Sequence, residues 1–414
     1  MTTSTAPATP AETTVRYQRG DFLFATARRA LLARGALGTV TDADPRRLAR
    51  SAAAELERSG VPLAVGVLPF DTGPGASSPG HLVLPRTVHR AQADAETPAA
   101  PPAADLPAPA ATRRLPSAEG HRENVRAAVA ALRDRDLRKA VLARALELEF
   151  DAPIPVEGIV RNLARGNPRH FTYAAELPGG RTLVGATPEL LLSRAGDSVF
   201  TTPHAGSMPR SADPETDRAN GEALLASAKD REEHDLVIDY VVESLRPFCR
   251  KLDVPAGPEL VSTPAIWHLR TSITGELADR SVTALDLAAA MHPTPAVCGT
   301  PTVAARDLVQ DLEPFDRGYY AGAVGWVDAA GDGEWAVAIR CAEVAEKSMR
   351  LYAGGGIVPA SDPDTEYQET IAKFRTLLGA MGLDDSASGV GRPRGNRGGP
   401  PPPTRPPPAP GTRP

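Results

Sequence analysis

The spacing of apolar positions separates stretches that read as helix from stretches that read as strand. The start, to about Val15, predicts no regular structure, whereas FLFATARRALLARG (22–35) and RRLARSAAAELERSG (46–60) carry enough Ala, Leu and Arg to predict helices. VPLAVGVLPF (61–70) reads as a buried strand. A helix near 118–134 leads to the strand KAVLARALELEF (139–150), and RTLVGATPELLLSR (181–194) reads as a strand region interrupted at Thr187-Pro188. A helix over 221–246 is predicted to stop before Pro247. YYAGAVGWV and EWAVAIRCAEV bracket the turn-rich Asp328–Gly333 and predict a β-hairpin, followed by the strand MRLYAG. TEYQETIAKFRTLLGAMG closes the patterned region as a helix with Ile371, Phe374 and Leu377 on its apolar side. Antiparallel strands beside long helices predict a mixed, mainly antiparallel α/β fold.

Composition sharpens the boundaries. Between Ala91 and Pro116 the chain is crowded with Ala and Pro, leaving little apolar bulk to offset ordering entropy, and reads as a surface excursion. Residues 384–414 contain ten prolines and five arginines against two aspartates and predict a disordered tail, with PPPTRPPP a candidate proline-recognition ligand. Residues 16–383 then read as a single domain. The 46 Lys+Arg and 51 Asp+Glu give a net charge of −5, which makes no case for nucleic acid. Three widely spaced cysteines, Cys249, Cys298 and Cys341, give neither a disulfide framework nor a zinc site and favour a reducing compartment. The first twenty residues lack a secretory apolar stretch, and no apolar run reaches membrane-spanning length. The expectation is a soluble cytoplasmic protein.

Four groups of residues could carry chemistry. Lys139 shares a strand face with Val141 and Ala143; buried there, its amine is biased towards the neutral form and can serve as a base, whereas on an edge strand it would snorkel to water. Glu189 stands between a Pro-marked turn and three leucines, where a dry environment favours its protonated form; it could equally cap a short helix. Asp230 with Glu233, and Glu366 with Glu369, are carboxylate pairs at i,i+3 that could converge on one hard cation such as magnesium, with Lys373 a turn beyond Glu369. Taken separately, such pairs are ordinary hydrated helix faces. In EWAVAIRCAEV, strand alternation puts Arg340 on a face with Ala336, Ala338 and Ala342, leaving room for a carboxylate ligand. Gly354, Gly355 and Gly356 could present consecutive backbone N–H groups to an anion or simply form a flexible turn. His268, Cys298 and Tyr320 read as packing or hydrogen-bonding residues when taken alone.

In combination and order, KAVLAR, VGATPELLLSR, KDREEHDLV, HPTPAVCG, EWAVAIRC and AGGGIVPASDP resemble the isochorismate synthases of the chorismate-utilising enzyme family. The resemblance spans about Phe22 to Leu383. It implies a four-layer α/β/β/α assembly with two large packed sheets, like that of anthranilate synthase component I, and a Mg²⁺ cofactor. Lys139 resembles the base that activates water, and Glu189 the acid that assists loss of the C4 hydroxyl. Glu233 and Glu369 resemble metal ligands, with Asp230 and Glu366 beside them. Arg340 and Tyr320 resemble the pair that holds the enolpyruvyl carboxylate, with Gly354–Gly356 and Lys373 around it; His268, Ala296 and Val297 match positions around the ring, and Gly206 lies in AGSMPR. A lysine at 139 is generally missing from aminating members, and alanine at 296 resembles isochorismate rather than salicylate synthases. Val297 stands where some isochorismate synthases have leucine, and AGSMPR differs from the common AGTRPR at Ser207 and Met208. The expectation is interconversion of chorismate and isochorismate by a monomer, in contact at most transiently with an isochorismate-consuming enzyme. A salicylate synthase and a chorismate-binding interaction module are the other readings.

Overall fold

The computed structural model describes residues 9–73, 76–93, 106–134, 136–262 and 266–383. The first elements are α1 (Pro10–Val15), β1 (Phe22–Ala25), β2 (Arg29–Asp42), α2 (Pro45–Ser59), β3 (Leu63–Leu68) and β4 (Gly80–Gln92). Two sequence expectations are corrected here. Residues 10–15 form a helix, set by a Thr9/Glu12 capping box with Pro10 in its first turn. Residues 22–35 form strands rather than a helix: β1 pairs with β2 and β2 with β4, and all four residues of β1 are buried. A helix would turn part of FLFA and ALLA towards water, so burial on both faces of the strands overrides Ala/Leu/Arg helix propensity. The second predicted helix does form, as α2, capped by Asp44 and ended at Gly60 with φ 67°.

The chain continues with β5 (Ala111–Leu115), α3 (Ala118–Asp134), β6 (Lys139–Glu149), α4 (Val156–Gly166), β7 (Phe171–Leu177), β8 (Arg181–Thr187), β9 (Leu190–Ala195), β10 (Ser198–Thr201) and β11 (His204–Pro209). β5 places the end of the Ala/Pro run in the sheet beside β6, so that part is not an excursion; residues 94–105 and the tail 384–414 lie outside the described residues. Next come α5 (Pro214–Ala226), α6 (Ala228–Leu245), β12 (Cys249–Asp253), β13 (Glu259–Ser262), β14 (Ile266–Arg270), β15 (Ile273–Leu277), α7 (Ala284–Met291), β16 (Gly299–Thr300) and α8 (Thr302–Leu312). The single helix predicted over 221–246 is two, because the Ser227 side chain accepts from the Asp230 N–H and starts a new helix. The last elements are β17 (Ala323–Asp328), β18 (Gly333–Val337), β19 (Cys341–Val344), β20 (Ser348–Ile357) and α9 (Pro363–Met381).

Among the described residues, hydrogen bonding joins seventeen strands. Their pairings run β12-β15-β10-β9-β18-β17-β3-β4-β2, then on through β1-β7-β8-β19-β20-β6. All of these pairings are antiparallel. The 14-residue β2 serves both halves, and strands from either side of the Ala/Pro run pair with each other. One apolar core joins inner-face residues such as Phe24, Leu31 and Tyr173 to Leu192, Val324 and the helices α2 and α7. A second core packs Leu23, Val184, Ala342 and Leu351 on Ile159 and Leu163 of α4 and Phe374 and Leu378 of α9. Two sheets packed between helices are therefore the observed architecture. β11, β14 and β13 form a separate three-stranded sheet; α6 packs on β11 and brings Glu233 to Lys139 of β6 and Gly356 of β20.

Candidate active site

β6 and β20 pair over ten residues, placing Gly354, Gly355 and Gly356 opposite Ala143, Leu142 and Val141. The glycines are therefore strand residues rather than a flexible turn. Their role is close approach: a Cβ on Gly356 would sit 2.6 Å from Glu233 Oε1 and 3.0 Å from Lys139 Cε, and one on Gly355 would sit 3.3 Å from Glu366 Oε2. β19 pairs with β20 only through Leu351, so the Gly354 carbonyl is free to accept from Lys373 Nζ at 2.6 Å.

The Lys139 side chain is 1% exposed and pairs with Glu233 Oε1 at 2.9 Å, so it does not snorkel to water. Glu189 occupies the kink between β8 and β9, where its N–H donates to Thr187 Oγ1 at 3.2 Å and its carbonyl accepts from Val337 N at 3.1 Å. It does not cap a helix. Burial raises its carboxyl to about 8, against the opposing pull of the His204 backbone N–H and the Lys139 charge.

The helices α6 and α9 bring the second set. Asp230 is tied to the Ser227 hydroxyl, and Glu366 Oε1 accepts from Ser361 Oγ at 2.7 Å while its Oε2 is buried without a partner among the described residues. Glu369 Oε1 accepts from Lys373 Nζ at 2.5 Å and from Ser207 Oγ at 3.3 Å. Burial, then repulsion from Glu369, raises Glu366 to about 7; Asp230 is raised by burial and by Glu233 and Glu369. His234 braces α6 through Thr271 Oγ1 at 2.7 Å and the Ala205 carbonyl at 3.2 Å, a structural role. Among the described residues no three His, Cys, Asp or Glu side chains form a ready-made metal cluster. The donor set nevertheless fits magnesium: all-oxygen, mutually repelling, gathered at Gly355 and Gly356, and with one buried oxygen unpartnered.

Arg340 corrects the alternation argument. β18 stops at Val337 and β19 starts at Cys341, so EWAVAIRC is not one strand and the shared face with Ala336 and Ala342 does not hold. Arg340 sits in the break at φ 52°, and its carbonyl accepts from Ala186 N at 3.2 Å. Its guanidinium has no carboxylate at ion-pair distance among the described residues. Tyr320 stacks on Tyr352 at 4.7 Å. Gly206, at φ 80°, forms the bulge in β11, and a Cβ there would lie 3.2 Å from Asp230 Cβ.

Every residue that the sequence placed at the site except Lys139 lines one cavity of about 440 Å³, His268, Ala296 and Val297 included. Lys139 lies behind the wall, reaching the cavity's edge through its pair with Glu233. His268 Nε2 is buried without a partner, and burial holds the ring neutral. Sequence reasoning missed His204, which lines the same cavity, stands edge-on to His268 at 6.0 Å, and fixes its ring by a 2.8 Å contact to the Thr202 carbonyl. Tyr352 and Lys229 were also missed. None carries a spacing that would mark it. Cys298, with a thiol pushed up to about 12 by burial, is inert packing as expected.

Fold and cavity together define a small-molecule site with acidic residues on one side and, on the other, an arginine with no carboxylate at ion-pair distance among the described residues. Residues 83–382 match the model of the chorismate binding enzyme family. Isochorismate synthase DhbC of Bacillus subtilis is 46% identical over 387 residues, covering 89% of this chain and 95% of that protein. The crystal structure of DhbC from Bacillus anthracis superposes with a TM-score of 0.83 at 39% identity, covering 90% of this chain and 99% of that one. Anthranilate synthase component I from Streptococcus pneumoniae shares the fold, with a TM-score of 0.69 at 24% identity over 84% of this chain and 92% of that one. The chain belongs to the chorismate binding enzymes.

Proposed function

We infer that Lys139 and Glu189 are the base and acid of an isochorismate synthase, which interconverts chorismate and isochorismate. The observation that carries this reading is a carboxyl still protonated near neutral pH lining the cavity, with a buried amine behind the same wall that reaches its edge through Glu233. Arg340, Tyr320 and the open edge of β20 hold the enolpyruvyl carboxylate. Glu233 and Glu369, with Asp230 and Glu366, would hold Mg²⁺. Bound there, the ion would supply positive charge to offset these carboxylates and the substrate's ring carboxylate. Lys139, as the base, takes a proton from the water adding at ring C2, and Glu189 gives its proton to the oxygen leaving C4. The ring double bond shifts between them. One water enters and one leaves, so the step is an isomerisation, and the reverse reaction exchanges the two proton-transfer roles. His268, Ala296, Val297 and Gly206 shape the wall around the ring.

Residues 16–383 act as one catalytic domain, and we assign the chain to the cytoplasm as a monomer serving siderophore or menaquinone synthesis. Its three cysteines are all free, and none of the described helices is long and apolar enough to cross a membrane. Incubating the purified chain with chorismate and Mg²⁺, with products separated by chromatography and identified by mass spectrometry, is expected to give isochorismate. Salicylate with pyruvate, or no conversion by a folded sample, overturns the reading.

A further inference from the structure

The edge of β6 beside the site is completed by side chains instead of a strand. β16 covers that edge at Lys139 and Ala140, and β5 covers it from Ala145 to Glu149. Between them, the Val141 N–H reaches the Cys298 carbonyl at 2.8 Å, which leaves the Val141 carbonyl and the Ala143 N–H to be satisfied. Arg317 Nη2 donates to the Val141 carbonyl at 2.6 Å, and Glu313 Oε1 accepts from Ala143 N at 2.6 Å. The two side chains are paired by Nε to Oε2 at 2.8 Å and Nη2 to Oε1 at 2.5 Å, with 3% or less of either side chain exposed.

The same guanidinium reaches further. Arg317 Nη1 donates to the Val297 carbonyl at 2.9 Å, its backbone carbonyl accepts from Tyr320 N at 2.9 Å, and its Cζ lies 4.3 Å from the Phe70 ring centroid. One planar, always-charged group therefore joins the strand that begins with Lys139 to the turn that presents Ala296 and Val297. Neither Arg317 nor Glu313 lines the cavity, so neither touches substrate. A buried ion pair adds little net stability over apolar residues of the same size, so stability alone gives no reason for it here. What a fork with fixed donor directions supplies is geometry.

We propose that Arg317, braced by Glu313, is a positioning residue for the isomerisation, holding the Lys139 strand at a fixed separation from the Ala296–Val297 turn so that ring C2 lies within reach of the base. The proposal rests on the reading of Lys139 as that base. The substrate's carboxylates are held by other groups, so loosening this tie affects turnover and leaves binding nearly intact. A misplacement of 1 Å costs on the order of 100-fold in rate.

The test compares wild type with R317K, which keeps the charge but loses the fork, and with E313Q/R317M, which removes both charges while keeping an acceptor for the Ala143 N–H. Fold is checked by circular dichroism, and kcat and KM are measured separately across pH. The expected result is a kcat lower by about 100-fold with KM little changed, and an alkaline limb that does not move because Glu189 is undisturbed. Wild-type kcat in either folded variant, or a raised KM at unchanged kcat, overturns the proposal. Failure of both variants to fold makes the pair a structural staple and overturns it too. A wild type that makes no isochorismate sinks the base assignment instead, whereas an active wild type beside unimpaired variants sinks only the positioning role.

Discussion

The cavity has two kinds of wall. One is built on strands: Glu189 sits in the kink between β8 and β9, Gly354–Gly356 lie in β20, and Lys139, which opens β6, stands directly behind them. The other is built on helices, with Asp230 and Glu233 on α6 and Glu366, Glu369 and Lys373 on α9. Side chains of the first wall are set by the sheet and dried by the core, and burial is the largest influence on Glu189. The second wall crowds like charges and restrains them with lysines and hydroxyls: Lys139 on Glu233, Lys373 on Glu369, Ser361 on Glu366. The contrast separates proton transfer, which needs fixed positions, from charge binding, which needs a negative set that accepts new partners.

The strand wall is the harder one to do without. Lys139→Ala is expected to lower kcat by about 10³-fold or more, at the upper part of the range for a lost general base, while circular dichroism and chorismate binding stay near wild type. A variant keeping a tenth of wild-type turnover removes Lys139 from the chemistry. Glu189→Gln is expected to cost on the order of 10²-fold. The sign of its pH effect follows from burial: the carboxyl keeps its proton up to about pH 8, so an acid role is present below that value and lost as pH rises through it. Wild-type kcat/KM is therefore expected to fall above about pH 8, and the residual activity of Glu189→Gln is expected to lack that limb. An unchanged limb in the variant assigns it to another group.

The two walls also differ in how far the sequence alone reveals them. A lysine at the start of an apolar strand and a glutamate after Thr-Pro are local signals, and β6, β8 and β9 formed where the apolar pattern put them. The helix carboxylates were visible as i,i+3 pairs, but their convergence depends on α6 and α9 meeting across β20, which no local spacing encodes. Arg340 shows the limit of periodicity, because one residue with positive φ ends the alternation. β1 and β2 show the limit of propensity, since long-range pairing made strands of an Ala/Leu/Arg sequence. Arg317 and Glu313 escaped notice because an i,i+4 pair looks the same on a wet helix as in a closed core; only the missing strand beside β6 distinguishes them.

The helix wall can be tested through stability, where the expected effects are smallest. Glu366 has its carboxyl raised from 4.5 to about 7, first by burial and then by Glu369. A folded value above the unfolded one means that this group's stabilisation is complete below about pH 4.5 and is lost as pH rises through about 7. Glu366→Gln cannot lose it, so without metal the variant is expected to melt about 2 °C or more above wild type at pH 8.5, the shift of roughly 1 kcal/mol in a large domain. The advantage should vanish near pH 5. Saturating Mg²⁺ is expected to reverse the order, because a ligand that binds only the folded state raises wild type by about 2.7 kcal/mol at a hundred times its Kd, while Glu366→Gln has one anionic donor fewer with which to gain it. Equal melting temperatures at pH 8.5 without metal would show that Glu366 is not held against its charge, and equal gains with Mg²⁺ would place the ion away from α9.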